Sequence, residues 1–316
     1  MEKMELSKRL FMTASMVKAG SIVADVGCDH GYTAIYLVQN GICPRVLAMD
    51  VNEGPLLRAG EHIQEAGLSS YIETRLSDGL SAMKWTEEEA GPDGGAGCGR
   101  RPEADTLLMA GIGGRLTARI LEDAAQKLSR MRAVILQPQS EVWLVRRTLS
   151  RLGYQITAED MVKEDGRFYT AMRAENLRMT KGKAVPLEGA ALPKGETAPE
   201  EAAPRAEMEI PAAPEGLFPD ERTWRKAGER YGFLLIKARH PVLREYLQEV
   251  LKKNRAARAA ILAGARSGKS PSEPGDISEC IPEHIPERSR ERLEHLEEES
   301  ALAGKLALWM ENGADG

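Results

Sequence analysis

The residues best suited to chemistry fall in 22–31, IVADVGCDHG, where a β-branched run leads into a glycine turn carrying Asp25 and Asp29. Another carboxylate, Asp50, closes the next apolar run, RVLAMD at 45–50. In a parallel sheet both stand at the carboxyl ends of neighbouring strands, where doubly wound folds bind adenosine-bearing cofactors. A diphosphate binder places G-x-G-x-x-G at this turn, so that small residues let the backbone reach the phosphates. Here Asp29 lies between Gly27 and Gly31 instead. A carboxylate repels a diphosphate and attracts a sulfonium. The turn therefore predicts S-adenosylmethionine rather than NAD, and with it a methyl transfer.

Neighbouring residues extend the pocket. Asp25 is expected to order the loop or to receive the ammonium of the cofactor's methionine moiety; the plainer reading is a carboxylate that only bonds the turn's own amides. Gly27 and Gly31 let backbone approach a ligand, or simply make a tight turn. Cys28 and His30 lie in the same loop, His30 either handling a proton or resting as a satisfied loop histidine. Asp50 offers two acceptor oxygens to two ribose hydroxyls, with Val51 beside it. Asp78 and Gly79, in SDGL at 77–80, are placed to meet the adenine amino group and a ring nitrogen, or they form an ordinary turn. Three acidic residues after three successive strands carry more weight than any one of them.

A second informative turn follows the fourth predicted strand: Ala110, Gly111, Ile112, Gly113 and Gly114. Exocyclic-amine methyltransferases of adenine place [N/D]-P-P-[Y/F/W] there, and neither the prolines nor the aromatic is present. Backbone amides at a glycine-rich helix start hold an anion or a base edge; the competing reading is that the glycines admit close helix packing. Gln137, Pro138 and Gln139 offer amide groups toward the same rim.

The surrounding elements must position these groups. Leu6, Leu10, Ala14 and Val17 recur at helical spacing through 5–19, with Gly20 as a left-handed stop. Strand 22–27 precedes a helix over 32–39, then strand 45–51. Asn52 is expected to cap the next helix, which has Pro55 in its first turn and ends at Gly67. Strand 71–76 follows, then a charged, Gly-rich surface loop at 86–103. DTLLMAGIGG gives a strand, a turn and a helix with Leu116, Ile120, Leu121 and Leu128 on its apolar side. A fifth strand, 133–136, ends in QPQ, and Ser140 is expected to cap a helix closing at Gly153. Residues 154–175 read as a hairpin turning at Glu164, Asp165 and Gly166. The pattern predicts an α/β fold with a mostly parallel sheet and an antiparallel edge strand, the methyltransferase variant of the doubly wound fold.

Beyond 175 the period is lost. Residues 176–220 carry seven of the seventeen prolines among Ala, Glu and Gly and read as a disordered insertion. Order resumes at YGFLLIKA, 231–238. A helix over 241–264 carries Val242, Tyr246, Val250 and Leu251 on one face; a Pro/Ser/Gly break spans 267–286. The last helix, 287–312, shows Leu293, Leu296, Leu302, Leu306 and Trp309 near a heptad seam, giving a coiled-coil-like α-helical hairpin or a dimer contact. The expected domains are 1–175, the insertion 176–220, and 221–316.

The net charge of −5 excludes a global basic field but hides a split. Residues 222–269 hold thirteen Lys/Arg against three Glu, whereas 273–299 hold ten Asp/Glu against three Arg. Either the two helices stitch together through these charges, or the basic face holds the phosphates of a nucleic acid. Four cysteines show no C-x-x-C pair, and no metal-ligand spacing occurs. With no apolar leader and no long apolar run, the chain reads as soluble and cytoplasmic, without membrane or metal.

LSKRL (6–10), DVGCDHGY (25–32), SDGL (77–80), DTLLMAGIGG (105–114), ILQPQ (135–139) and EDGRFY (164–169) occur in that order. Together they resemble the bacterial tRNA methyltransferases that modify N1 of adenine 22 in the D-arm region. The resemblance covers 1–175 by motif and 225–316 by helical pattern. It implies a Rossmann-like methyltransferase domain, S-adenosylmethionine as donor, and tRNA as substrate; a seven-stranded sheet and a monomer or weak dimer are expected. Gln139 departs from the family's Asn, and the segments 86–103, 176–220 and 267–286 are longer than the family pattern. Adenine N1 has an in-plane lone pair, so attack needs no prior deprotonation, and a carboxylate beside the base would stabilise the cationic product. Asp29 is the expected catalytic group. Lys8 and Arg9, with Gly113, Gly114, Gln137 and Pro138 at the rim and Arg239, Arg244, Lys252 and Lys253 in the helical domain, are the expected tRNA contacts. Rival readings are a methyltransferase of another RNA position, a small molecule or a protein, an NAD oxidoreductase, and a non-catalytic RNA-binding module.

Overall fold

The apolar run at 22–26 forms the central strand β1 (Ile22–Val26), preceded by α1 (Lys8–Ser15) and followed by α2 (Tyr32–Gln39) and β2 (Arg45–Asp50) in a computed structural model. The structure describes residues 3–87, 100–180, 210–218, 220–266 and 286–312. The βα alternation continues with α3 (Glu53–Glu65), β3 (Ile72–Leu76), the short pair β4 (Trp85–Glu87) and β5 (Arg100–Pro102), then β6 (Thr106–Ala110). Next come α4 (Gly114–Asp123), α5 (Ala125–Leu128), β7 (Ala133–Gln137), α6 (Val142–Arg151), β8 (Tyr154–Glu164), β9 (Arg167–Asn176) and α7 (Leu177–Thr180).

The sheet has seven strands in the order β3-β2-β1-β6-β7-β9-β8. The order reverses direction beside β1, so β1 and β6 flank the switch point where such sheets bind ligands. β9 runs antiparallel to both β7 and β8. The antiparallel strand is thus one place in from the edge, a correction to the expected antiparallel edge strand. The chain pattern announces a hairpin but not which arm docks on β7. The turn between the arms places Asp165 at φ 49° and Gly166 at φ 73°, the paired left-handed residues that match strand twist.

Alternation of side chains splits the core between the two faces of the sheet. Ala24, Val26, Leu107, Met109, Val134 and Leu136 face α4 and α6, packing with Leu121 and Leu149. Val23, Val46, Leu108 and Ile135 face α1, α2 and α3, packing with Ala14, Leu37 and Ile63. Asp25 and Gln137 share this second face, since residues two apart on a strand point the same way.

Several local expectations need correction. Asn52 makes no side-chain cap; its backbone N–H donates to Asp50 Oδ1 at 2.8 Å. Ser140 does not cap α6: its hydroxyl accepts the Gly114 N–H at 3.2 Å and donates to Glu141. Leu116, expected in the core, is exposed. The segment 86–103 is not all loop, because β4 and β5 pair Trp85 with Pro102 and Glu87 with Arg100; 88–99 lie outside the described residues. The expected insertion begins later than 176, since β9 and α7 reach Thr180; its residues 181–209, and 267–285 of the later break, lie outside the described residues.

Two compact units, 1–211 and 212–316, divide the chain. The second contains α8 (Glu221–Tyr231), α9 (Phe233–Lys237), α10 (Pro241–Arg266) and α11 (Glu287–Glu311). α8 went unread in the sequence, because its buried residues Trp224, Ala227, Gly228 and Tyr231 hide among Arg, Lys and Glu. Asp220 caps it, accepting the Thr223 N–H at 2.8 Å. α10 buries Leu243, Leu247, Val250 and Asn254, one step round from the predicted face, while α11 buries Leu293, Leu296, Ala303 and Leu306. The pair runs antiparallel, with Asn254 bonding Glu299 and Ser300, and Arg258 meeting Glu297.

Candidate active site

At the carboxyl edge of β1 the chain turns through Gly27 at φ 76°, a conformation an L-residue rarely takes. A Cβ there would also sit 3.0 Å from Ile112 Cδ1 of the neighbouring turn. The Gly27 and Cys28 amides both donate to Met49 O, binding the turn to the end of β2. Asp29 follows at φ 47°, which aspartate tolerates better than most residues. Its carboxylate is left exposed, 3.6 Å from Arg58 Nη2 and 3.7 Å from His30 Nε2. Gly31 then starts α2.

Asp25 is buried, and its Oδ2 has no hydrogen-bond partner among the described residues. Burial, and secondarily the Asp50 charge, push its carboxyl up to about 7. An orphaned buried carboxyl is costly unless something completes it, and a cationic ligand would do so. The loop-ordering reading of Asp25 is less well served than the ligand-facing one. Asp50 is buried at the end of β2, with one oxygen engaged by the Asn52 amide, and Val51 is exposed next to it. Asp78 is exposed beyond β3, while Ser77 locks that turn by donating to Gly79 O at 2.8 Å. Ser77 N–H donates to Asp50 O, tying the third turn to the second. The structure thus brings Asp25, Asp29, Asp50 and Asp78 to one sheet edge.

Cys28 is buried, and its thiol is pushed well up by burial first and then by Asp25 and Asp50. It packs in the core as a small apolar group and is no nucleophile. His30 stacks on Tyr32 at 5.2 Å and on His62 at 5.6 Å, and its carbonyl lies 2.9 Å from His62 Nδ1. Arg58, Tyr32 and His62 were not singled out by sequence reasoning. Their only advance signal is helical phase, since Arg58 and His62 lie one turn apart on α3.

The Ala110–Gly114 turn resolves mostly as a packing device. Gly111 N–H donates to Gln137 O, and Gly114 N–H to Ser140. A Cβ on Gly114 would fall 2.2 Å from Ser140 O, so α4 can start there only with glycine. Gly114→Ala should therefore destabilise the fold by about 1–3 kcal/mol or more, as overpacking does, with the Tm measured by calorimetry; an unchanged Tm would contradict this close approach. A Cβ on Gly113 would meet Ser140 Oγ at an ordinary van der Waals distance. Arg9 reaches this rim: its Nη1 lies 3.7 Å, and Gln139 Nε2 3.6 Å, from where a Gly111 Cβ would point. The Arg9 guanidinium also sits 5.8 Å from the Tyr169 ring. Lys8 is exposed, its amide held by Glu164. Pro138 is buried, and Gln137 is fully buried with both amide atoms unpartnered among the described residues. Its amide faces the interior, not the solvent side of the rim that sequence reasoning assigned it.

In the second unit Arg244, Lys252 and Lys253 are exposed along α10. Arg239 is only partly exposed, at φ 47°, with its guanidinium 4.0 Å from the Trp309 ring. Both readings of the charge split find support: Lys226–Glu298, Arg230–Glu299 and Arg258–Glu297 stitch the helices, while other cations face solvent. No group of His, Cys, Asp and Glu able to hold a metal occurs among the described residues, and no described helix is long and apolar enough to cross a membrane.

Four carboxylates at the carboxyl edge of the sheet beside its switch point, without the G-x-G-x-x-G of a diphosphate binder, fit a methyltransferase of the doubly wound class. The model of the methyltransferase domain matches residues 6–172. The chain is 34% identical over 175 residues to the tRNA (adenine(22)-N(1))-methyltransferase of Bacillus subtilis, covering 55% of this chain and 67% of that enzyme. A Streptococcus pneumoniae protein assigned to tRNA adenine-22 N1-methylation superposes with TM-score 0.62 at 26% identity, over 96% of this chain and 100% of that one. The same protein in complex with S-adenosyl-L-methionine gives TM-score 0.61 at 25% identity, over 96% and 100%. The chain belongs to the tRNA (adenine(22)-N(1))-methyltransferase family.

Proposed function

We propose that this protein transfers the methyl group of S-adenosylmethionine to N1 of adenine 22 in tRNA. The observation that carries the reading is the ring of Asp25, Asp29, Asp50 and Asp78 around the Gly27 turn, in a chain of this family. The residues fit the donor: it is cationic at sulfur and at its ammonium, and the orphaned Asp25 oxygen needs a cation. Asp50 is assigned the ribose hydroxyls and Asp78 the adenine edge, with Gly79, Ala110 and Gly111 lining the pocket.

When bound, the donor supplies an electrophilic methyl whose C–S bond breaks with its electron pair left on sulfur. The protein has little acid–base work to do, because N1 of the target base attacks through its own lone pair and releases no proton. Its task is to hold the base in line and to stabilise the positive charge that passes from sulfur to the ring. Asp29, exposed at the mouth of the pocket, is assigned that stabilising role. Arg58 and His30 lie beside it and hold the carboxylate near the turn.

The α10 cations Arg244, Lys252 and Lys253 are assigned to the tRNA backbone, as are Lys8 and Arg9 in the first unit, whereas Arg239 acts through its Trp309 contact. The unit 212–316 is the tRNA-positioning domain, and its apolar seam is closed by its own two helices. That favours a monomer or weak dimer, and a tRNA substrate favours the cytoplasm.

Calorimetry with S-adenosylmethionine and with NAD tests the donor: binding of the first alone supports the reading, and binding of NAD overturns it. The Asp25 carboxyl adds a pH dependence. Cation binding favours the ionised form, so binding releases a proton wherever Asp25 starts protonated, and affinity rises with pH. Because the free group titrates at about 7, the Kd should tighten several-fold from pH 6 to pH 7.5. Asp25→Asn should abolish that slope; a flat wild-type profile would refute the role.

A further inference from the structure

Trp143 is the one tryptophan of four that is exposed among the described residues, at 40%, whereas Trp224 is 2% exposed. It stands in the first turn of α6, directly after the Gln137–Ser140 loop at the carboxyl edge of β7. Exposing an indole forfeits the hydrophobic stabilisation that usually draws the largest side chains inward. Nothing in packing requires it there, because α6 faces the core through Val145, Thr148 and Leu149 instead. One helical turn on, the guanidinium of Arg147 lies 5.9 Å from the indole centroid, on the same face of the helix. The neighbouring first turn of α4 presents an exposed Arg115 and an exposed Leu116, with Arg119 a turn further. Arg115 is joined to Glu141 at 2.7 Å, so the starts of α4 and α6 are tied together at one rim. That rim also carries Gly111 and Gln139.

We propose that Trp143, backed by Arg147, is a stacking platform for an unpaired base of the tRNA next to the methylated adenine. A base that enters a pocket leaves its neighbours without a stacking partner. A flat exposed aromatic at the same carboxyl edge of the sheet replaces the missing stack, and every base has a face to offer it. The adjacent arginines favour a polyanion over a neutral apolar partner. The proposal rests on tRNA being the substrate.

The test compares full-length wild type with Trp143→Ala, Trp143→Phe and Arg147→Ala, all with unmodified tRNA transcript. Trp143→Ala should raise the Kd and KM for tRNA at least about fivefold, at the low end of what removing a base stack costs. The kcat, the S-adenosylmethionine Kd and the Tm should stay unchanged, because the side chain is on the surface. Phenylalanine should restore affinity to within about twofold, since it keeps a ring face. The quenching of tryptophan fluorescence on adding tRNA should shrink in Trp143→Phe. An alanine variant with wild-type Kd and KM, or a phenylalanine variant as weak as alanine, overturns the platform while leaving the enzyme's activity standing. So does an alanine variant whose sedimentation mass falls, which would mark the face as a protein contact. Wild type that neither binds nor methylates tRNA overturns the platform and the proposed function together.

Discussion

Asp29→Ala is expected to lower kcat by at least about 100-fold, the scale seen when one preorganised electrostatic contact to a developing charge is removed. The Kd for S-adenosylmethionine should stay within about threefold, because the donor contacts proposed above are the buried Asp25 and Asp50, not Asp29. Asp29 sits at φ 47° with its carboxylate toward solvent, held loosely by Arg58 and His30. Such exposed pairs contribute little to stability, but alanine tolerates the left-handed backbone less well than aspartate, so the variant should fold with a stability loss on the order of 1 kcal/mol. Asp29→Asn separates charge from shape: it keeps a hydrogen-bond acceptor but loses the anion, and should fall nearly as far as alanine. Single-turnover methylation with saturating tRNA measures the effect. Wild-type turnover in either variant would remove Asp29 from the chemistry.

Reversing the charge of Arg244, Lys252 and Lys253 together to glutamate should weaken tRNA binding by at least about 50-fold at low salt. Each cation that neutralises a phosphate releases a counterion, so the slope of log Kd against log salt should become shallower by about 0.7–0.9 for every phosphate no longer neutralised. The donor site should not respond, since all three residues lie on α10 in the second unit. All three are exposed and outside the seam of Leu243, Leu247 and Val250, so α10 should still pair with α11. Filter binding across a salt series reads both quantities. An unchanged slope would mean that the basic face serves only the helical pair.

This second experiment separates the two readings of the charge split. Lys226, Arg230 and Arg258 are engaged by Glu298, Glu299 and Glu297, while Arg244, Lys252 and Lys253 are exposed along α10. Composition shows the surplus but cannot assign individual partners across 39 to 72 residues of chain.

What was legible in the sequence is what is encoded locally. The Gly27 turn, the strand-end carboxylates and the hairpin turn at Asp165 each depend on a few consecutive residues, and each stands where the pattern placed it. What failed depends on distant partners. Ser140 resembles a cap for its own helix, yet it serves the start of α4, because Gly114 brings that backbone against it. Gln137 ends a strand at the rim, but its side chain shares a face with Ile135 and is buried beneath α1. The place of β9 between β7 and β8 is likewise set by pairing rather than by chain order. Arg58 and Trp143 have no motif at all, and they gain meaning only from what the folded chain sets beside them.

The most direct test of the central claim is nucleoside mass spectrometry of a tRNA transcript incubated with the protein and S-adenosylmethionine. A matched transcript carrying guanine in place of adenine 22 provides the comparison. 1-Methyladenosine is expected in the first transcript, approaching one per tRNA, and none in the second. A methyl group on another atom, equal methylation of both transcripts, or no methylation of either would contradict the claim.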